Sequence, residues 1–139
     1  MINEGSMLEF ITLPDHQLPP PAPYSHAVRA GDFLFVTGQL AEDPVSGDIS
    51  RGPIDDQTRR VMENLKLVLT HAQTGFDRVV SARIFLTDMR DYPIVNDIYA
   101  SYFKSDRLPC RTTVGVLGLA GQGSVEIDLI VYCADEPDA

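Results

Sequence analysis

The residues best suited to chemistry are an arginine and a glutamate near the C-terminal end of the chain. Residues 109–128 read PCRTTVGVLGLAGQGSVEID, in which Arg111 opens one β-rich run and Glu126 lies early in the next. A glycine-spaced stretch, residues 119–123, joins the two runs. If the runs pair as an antiparallel hairpin, both charged side chains border one cleft. This combination of a fixed cation with a carboxylate is the main chemical feature of the sequence.

Other reactive side chains show no pattern that indicates a second kind of site. The three histidines have no spacing that suggests metal ligation, and Cys110 and Cys133 lack the CxxC or Cys/His spacing of a zinc site. The chain contains neither a phosphate-binding glycine loop nor a GxSxG motif. We therefore expect no metal, no cofactor and two reduced thiols.

Length and charge bound the class of protein. A chain of 139 residues with 44% hydrophobic content fits one domain with a single core. The net charge of −9 argues against general binding of nucleic acid, which depends on neutralising phosphates with Lys and Arg. Neither a signal peptide nor an apolar run of ~20 residues is visible, so a cytoplasmic protein without membrane contact is expected.

The hydrophobic pattern predicts two strands, a helix, a strand, a helix and two strands. Residues 1–19 are predicted to be an extended, partly disordered segment, and residues 20–139 a single domain. The apolar stripe of residues 54–72 predicts an amphipathic helix with Gly75 at its C-terminal cap, and a second helix is predicted for residues 92–103. Strands are predicted at residues 24–29, 33–37, 78–87, 112–118 and 124–133.

This order of elements predicts an α+β fold in which two helices pack on one face of an open, mixed sheet. The last strand has apolar residues on both faces, and two helices can cover only one of them. We therefore expect the second face to be covered by another copy of the chain, with polar groups at the subunit interface.

The sequence resembles the RidA family of enamine and imine deaminases from about residue 20 to residue 132. The matching blocks are PYSHAV, FVTGQL, QTRRVMENLKLVL, IFLTDMRDYPIVNDIYASYF, PCRTTV and VEID. The resemblance implies a chorismate-mutase-like fold and a homotrimer whose sheets form a central β-barrel. It also implies three clefts between neighbouring subunits, and such a location allows Tyr24 or Asn96 to meet Arg111 from another chain.

The same resemblance assigns roles to individual residues. Arg111 matches the arginine that holds the substrate carboxylate, and Glu126 the glutamate that positions or activates water. A planar guanidinium suits a carboxylate because two parallel hydrogen bonds fix its position and orientation. The substrate-binding residues implied are Tyr24, Thr37, Gly38, Asn96, Thr113 and Gly115.

Structural roles are open alternatives for several of these residues. Tyr24 is as suited to packing at a subunit interface as to contacting substrate. The Asn96 side chain is equally suited to hydrogen-bonding a neighbouring backbone group. Gly38 fits a backbone requirement, such as a bulge, better than a chemical role. Thr113 stands where some deaminases have Cys, and Gly115 where many have Glu or Gln. Together with the 119–123 loop, which replaces one rich in Leu, Pro and Lys, these departures predict a pocket of different shape.

The sequence thus favours hydrolysis of short enamine or imine acids, of the 2-aminoacrylate and 2-iminopropionate type, to 2-keto acids and ammonia. A trimeric protein that binds small carboxylates or a protein partner without turnover is the alternative. Ribonuclease activity, associated with some relatives, is disfavoured by the acidic charge balance.

Overall fold

A computed structural model describes residues 7–14 and 17–134 and shows one six-stranded sheet with two α-helices. The sheet order is β1-β2-β3-β6-β4-β5, and all neighbours are antiparallel except β4 and β5. This mixed α+β architecture confirms the predicted fold class. The elements are β1 Leu8–Ile11, β2 Ala27–Ala30, β3 Phe33–Gln39, α1 Ile54–His71, β4 Val79–Leu86, α2 Tyr92–Ala100, β5 Cys110–Gly115 and β6 Val125–Tyr132.

The core lies between the two helices and one face of the sheet. The stripe of α1 predicted from sequence is buried there, as are alternate residues of the central strands. Gly75, however, does not cap α1: the helix ends four residues earlier, and Gln73 takes the left-handed conformation with a φ of 62°. Helix α2 also ends earlier than predicted, at Ala100, and a turn contains the remaining aromatic residues.

The predicted hairpin between the last two strands is wrong. β6 lies between β3 and β4 and pairs with both in antiparallel fashion, whereas β5 pairs in parallel with β4 at the edge of the sheet. The physical reason is that alternate residues of β6 are buried in the core, so this strand gains most by pairing along both edges, while β5 is mostly exposed. The two strands carrying Arg111 and Glu126 are therefore not neighbours.

One face of the sheet is left open, because none of the described helices lies over it. On this face, aromatic and aliphatic side chains lie opposite one another across strands; Phe10, Val28, Phe35 and Ile130 form one such row. Phe35 is 48% exposed. A register shift between Val36 and Gln39 shows a bulge that includes Thr37 and Gly38, in agreement with the bulge predicted near Gly38.

The N-terminal segment adds a strand that the sequence did not predict. β1 pairs with β2, and the segment after it is fixed to the sheet by His26, which is buried. The Leu13 N–H donates to His26 Nδ1 at 3.0 Å, so the ring carries its proton on Nε2, which donates to the Leu18 carbonyl. Leu13 and Leu18 are both buried. Residues 1–6 and 15–16 of the predicted 1–19 segment lie outside the described part of the chain.

Replacing His26 with Ala is expected to lower the free energy of unfolding by about 2–4 kcal/mol, because two buried backbone groups lose their partner and a cavity remains. Urea unfolding followed by circular dichroism at fixed protein concentration measures this. His71→Ala, at the exposed end of α1, is the control and should change stability by less than about 1 kcal/mol. Equal stabilities of the two variants would contradict the role of His26 in fixing the N-terminal segment to the sheet.

Candidate functional site

Arg111 is held by one face of α2. Its Nη2 donates to the Tyr92 hydroxyl at 3.0 Å and to Asn96 Oδ1 at 2.8 Å. Its Cζ atom also lies 5.5 Å from the centre of the Tyr92 ring and 5.1 Å from that of Tyr99, within the range of cation–π attraction. We call Arg111, Tyr92, Asn96 and Tyr99 the arginine cluster. Asn96 therefore meets Arg111 within one chain, whereas the sequence allowed this contact to come from a neighbouring chain.

The helical repeat explains why α2 can hold the arginine from three positions. Residues 92, 96 and 99 are spaced i, i+4 and i+7, so their side chains share one face of the helix. Sequence reasoning assigned Asn96 to the site but placed Tyr92 and Tyr99 only as helix-filling residues, although this spacing links all three. Tyr99 is buried, its hydroxyl has no partner among the described residues, and burial raises its pKa to about 12.

Thr113 and Gly115 follow Arg111 along β5. The Thr113 hydroxyl is buried and has no hydrogen-bond partner in the described structure. A Cβ atom at Gly115 would lie 3.2 Å from Met89 Cγ, so Met89 occupies the room that a side chain at position 115 would need. The smaller residue therefore does not leave an empty space, because a flexible methionine that the sequence did not point to fills it.

Glu126 belongs to a second group of predicted site residues, which we call the glutamate cluster: Glu126, Tyr24, Thr37 and Gly38. A Cβ atom at position 38 would lie 2.5 Å from Glu126 Oε2, so glycine is needed there for the carboxylate to rest against β3. Thr37 Oγ1 donates to the Ser25 carbonyl at 2.6 Å and so fixes the segment that carries Tyr24. The structure thus brings these four residues together.

The surroundings of Glu126 favour its protonated form. Burial raises the pKa of its carboxyl group, and the negative charge of Asp128 raises it further, while Arg83 lowers it. Arg83 is itself paired with Asp128, with Nη2 and Oδ2 2.6 Å apart, so most of its charge is compensated. Burial and the charges of Glu42 and Glu126 also raise the pKa of Tyr24. A carboxylate with a raised pKa is a stronger base near neutral pH than an ordinary glutamate.

The arginine and glutamate clusters lie on opposite faces of the same sheet. Arg111 is opposite Ala82, which in turn is opposite Leu129, and these two partners face the helices. Glu126 is opposite Phe85 and alternates with the buried residues of β6, so it faces the open side. The expectation that both charges border one cleft is therefore wrong for residues of the same chain.

Two classes of feature are not found in the described residues. Residues 7–14 and 17–134 contain no group of three His, Cys, Asp or Glu side chains placed to hold a metal ion. Within the same ranges neither helix is sufficiently long and apolar to span a membrane.

Comparison with known proteins places the chain in a family. Residues 15–133 match the family described as Endoribonuclease L-PSP. A RutC family protein of Pyrococcus horikoshii is 42% identical over 113 residues, which cover 81% of this chain and 89% of that protein. A 2-iminobutanoate/2-iminopropanoate deaminase of Bos taurus is 36% identical over 108 residues, covering 78% of each.

A solved structure extends the likeness to the backbone. The crystal structure of Escherichia coli TdcF with bound serine superimposes with a TM-score of 0.81 at 26% identity, covering 91% of this chain and all of that one. The likeness extends over nearly all of both chains.

The sequence did not indicate that a further carboxyl group is buried near the glutamate cluster. Glu42 follows β3 and is only 6% exposed, and its Oε1 has no hydrogen-bond partner among the described residues. Burial raises the pKa of Glu42 to about 7. Its neighbour Asp43 is the opposite case, since backbone N–H groups of Ser46 and Val45 bond its carboxylate and lower its pKa.

Glu42→Gln is expected to stabilise the protein above pH 7. The folded-state pKa of Glu42 lies above the unfolded value, so its favourable contribution is complete at acid pH and is lost as pH rises through about 7. Because Gln stays neutral, the variant should unfold with a free energy about 1–3 kcal/mol higher than wild type at pH 8, with a smaller difference at pH 5. Thermal and urea unfolding at both pH values measure the difference.

Asp43→Asn provides a control of opposite sign. The lowered pKa of Asp43 contributes stability above the unfolded pKa, so this variant should be less stable than wild type at pH 8, and the difference should shrink on acidification. A Glu42→Gln variant no more stable than wild type at pH 8 would contradict the burial of an unpartnered carboxyl group.

Proposed function

This chain belongs to the RidA family, the family described as Endoribonuclease L-PSP, and we propose that it hydrolyses short 2-imino acids to 2-keto acids and ammonia. Two relatives, one from Bos taurus at 36% and one from Dermatophagoides farinae at 34% identity, bear the name of that deaminase. In this proposal Arg111 anchors the substrate carboxylate and Glu126 activates water. The reaction needs no cofactor.

The observation that supports the proposal most directly is that Arg111 is held in place without a carboxylate partner among the described residues. Among the described residues no carboxylate pairs with it, although Arg59, Arg83 and Arg90 each pair with an aspartate. Instead, neutral oxygens and two aromatic rings hold its guanidinium in place. A fixed cation without a counter-ion, in a chain of net charge −9, is suited to an anionic ligand.

The proposed step balances without any other reactant. Glu126 takes a proton from water as the water oxygen bonds to the imine carbon, and the C=N electron pair moves to nitrogen. Glu126 returns that proton to the nitrogen to give a neutral carbinolamine. The carbinolamine hydroxyl proton then passes through Glu126 to the amino nitrogen as the C=O bond forms and the C–N bond breaks, so the 2-keto acid and ammonia leave and Glu126 is again a carboxylate. Such imines also hydrolyse in water, so orientation and a placed base, worth ~10²–10⁴-fold, are sufficient.

The proposal requires two chains at each site, because Arg111 and Glu126 lie on opposite faces of one sheet. The open face carries exposed Phe33, Phe35 and Tyr132, an apolar surface that another copy of the chain would cover. We propose a homotrimer in which the arginine cluster of one subunit faces the glutamate cluster of the next. Thr37 and Gly38 border a depression of about 310 Å³ on that open face, which Arg83 and Asp128 also line.

Binding without turnover is the second candidate. The TdcF structure, solved with bound serine, favours it, since serine carries a carboxylate that a residue such as Arg111 could anchor. Ligand-induced thermal stabilisation, compared with the rate of imine decay, distinguishes the two functions. A 2-keto acid that raises the melting temperature of wild type but not of Arg111→Ala, in a protein that does not accelerate imine decay, would indicate a binding protein.

Wild type is expected to accelerate the decay of 2-iminopropionate generated by an amino-acid oxidase, and Arg111→Ala to lose at least about 10²-fold of kcat/KM because a charged hydrogen-bonded anchor is removed. Trapping of the imine by semicarbazide measures the rate. Arg90→Ala is the matched control, since Arg90 is exposed and pairs with Asp88, two residues before it in the chain. Equal acceleration by wild type and Arg111→Ala would exclude the mechanism.

Mixing two inactive variants tests the shared site. Arg111→Ala and Glu126→Gln trimers, unfolded together and refolded at equal concentration, should regain about a quarter of the wild-type activity, because that fraction of interfaces combines an intact arginine with an intact glutamate. Sedimentation analysis of each sample checks the trimer. Refolded trimers without activity would show that no site combines the two residues from different chains.

A further inference from the structure

The geometry of a guanidinium limits how it can bind a carboxylate. Of its five N–H groups, Nε–H and one Nη2 N–H are parallel on one edge, and one N–H of each terminal nitrogen is parallel on the other. Two pairs in this protein use the first edge: Arg83 binds Asp128, and Arg90 binds Asp88, through Nε and Nη2. Bidentate binding of a carboxylate at either edge of a guanidinium therefore needs a free N–H on Nη2.

Arg111 has no such N–H available. Its Nη2 donates to both the Tyr92 hydroxyl and Asn96 Oδ1, whereas Nε and Nη1 donate to no described residue. A carboxylate could reach the free nitrogens singly, but it could bind with two parallel hydrogen bonds only by displacing Tyr92 or Asn96. Both N–H groups of Arg111 Nη2 are therefore already used by side chains of its own chain.

Tyr92 is the partner that is easier to displace. Its hydrogen bond to Nη2 is the longer of the two, 3.0 Å against 2.8 Å, and it is exposed, whereas that of Asn96 is partly buried. The Tyr92 side chain lies at the start of α2 and is 36% exposed, so its released hydroxyl can be hydrated. An Asn96 amide released in the same way would lose a partner in a less accessible place.

We propose that the Tyr92 hydroxyl is a latch on Arg111, which the substrate carboxylate displaces, and that Tyr92 thereby sets the affinity of the site for small acids. The proposal rests on the proposed role of Arg111 as carboxylate anchor. The Tyr92 ring stays stacked on the guanidinium when the hydroxyl is displaced, so the cation keeps its position while one Nη2 N–H changes partner. Weak anions that cannot displace the hydroxyl are thereby disfavoured. Tyr92 is in this sense a positioning residue.

The test is the affinity of Tyr92→Phe for pyruvate, measured by titration calorimetry. Phe keeps the stacked ring and removes only the competing oxygen, so the Kd is expected to fall about threefold to tenfold, the ratio that corresponds to one neutral hydrogen bond. In the imine assay KM should fall by a similar factor while kcat changes less than about twofold, since the hydroxyl takes no part in the chemistry. A gain in affinity is not the result of general structural damage.

Tyr102→Phe is the matched control. The Tyr102 hydroxyl donates to Glu63 Oε2 at 2.6 Å and its ring packs against Phe76, so this tyrosine also loses one hydrogen bond but lies outside both clusters. Its variant should bind pyruvate as wild type does. Arg111→Ala provides the second reference and should abolish binding.

Each outcome decides one of the two proposals. If Tyr92→Phe binds pyruvate no more tightly than wild type while Arg111→Ala does not bind, the latch is wrong and the anchor stands. If Arg111→Ala binds as tightly as wild type, or wild type does not bind, the anchor is wrong and the latch falls with it. Tighter binding by Tyr92→Phe together with unchanged binding by Tyr102→Phe supports both.

Discussion

The structure depends on the pairing of β6 along both of its edges. This strand joins the half of the sheet built from β1, β2 and β3 to the half built from β4 and β5. Its start is fixed to α1, because the Ser124 N–H donates to Gln57 Oε1 at 2.9 Å while Gln57 Nε2 donates to the Gly52 carbonyl. Alternate residues of β6 then enter the core, which orients Glu126 toward the open face.

The same pairing separates the two charged residues of the candidate site. Because β6 lies between β3 and β4, β5 pairs with the outer side of β4 and remains at the edge of the sheet, where Arg111 turns toward α2. A site that uses both residues therefore has to be completed by another copy of the chain. The unpaired edge of β5 and the exposed aromatic side chains of the open face are the surfaces on which such a copy would pack.

The arginine cluster and the glutamate cluster surround their charged residues with different kinds of group. Arg111 is kept in position by aromatic rings and neutral oxygens, so its charge is not cancelled by a counter-ion of the described chain. Glu126 is placed against a glycine, where burial and a neighbouring carboxylate raise its pKa. An anchor needs an uncompensated charge, whereas a base needs a raised proton affinity, and each residue has the surroundings that its proposed role requires.

The sequence by itself determined the fold class, the bounds of α1 and the alternation of β6, because these depend on local periodicity and on which faces are apolar. It also indicated Arg111 and Glu126, whose residue types suit the proposed chemistry, and a backbone requirement at Gly38. Only the tertiary structure decided that β6 lies between β3 and β4, that the arginine and glutamate face opposite sides, and that Tyr92, Tyr99 and Glu42 accompany them. Strand order and the contacts of side chains distant in sequence depend on long-range packing, which no local pattern records.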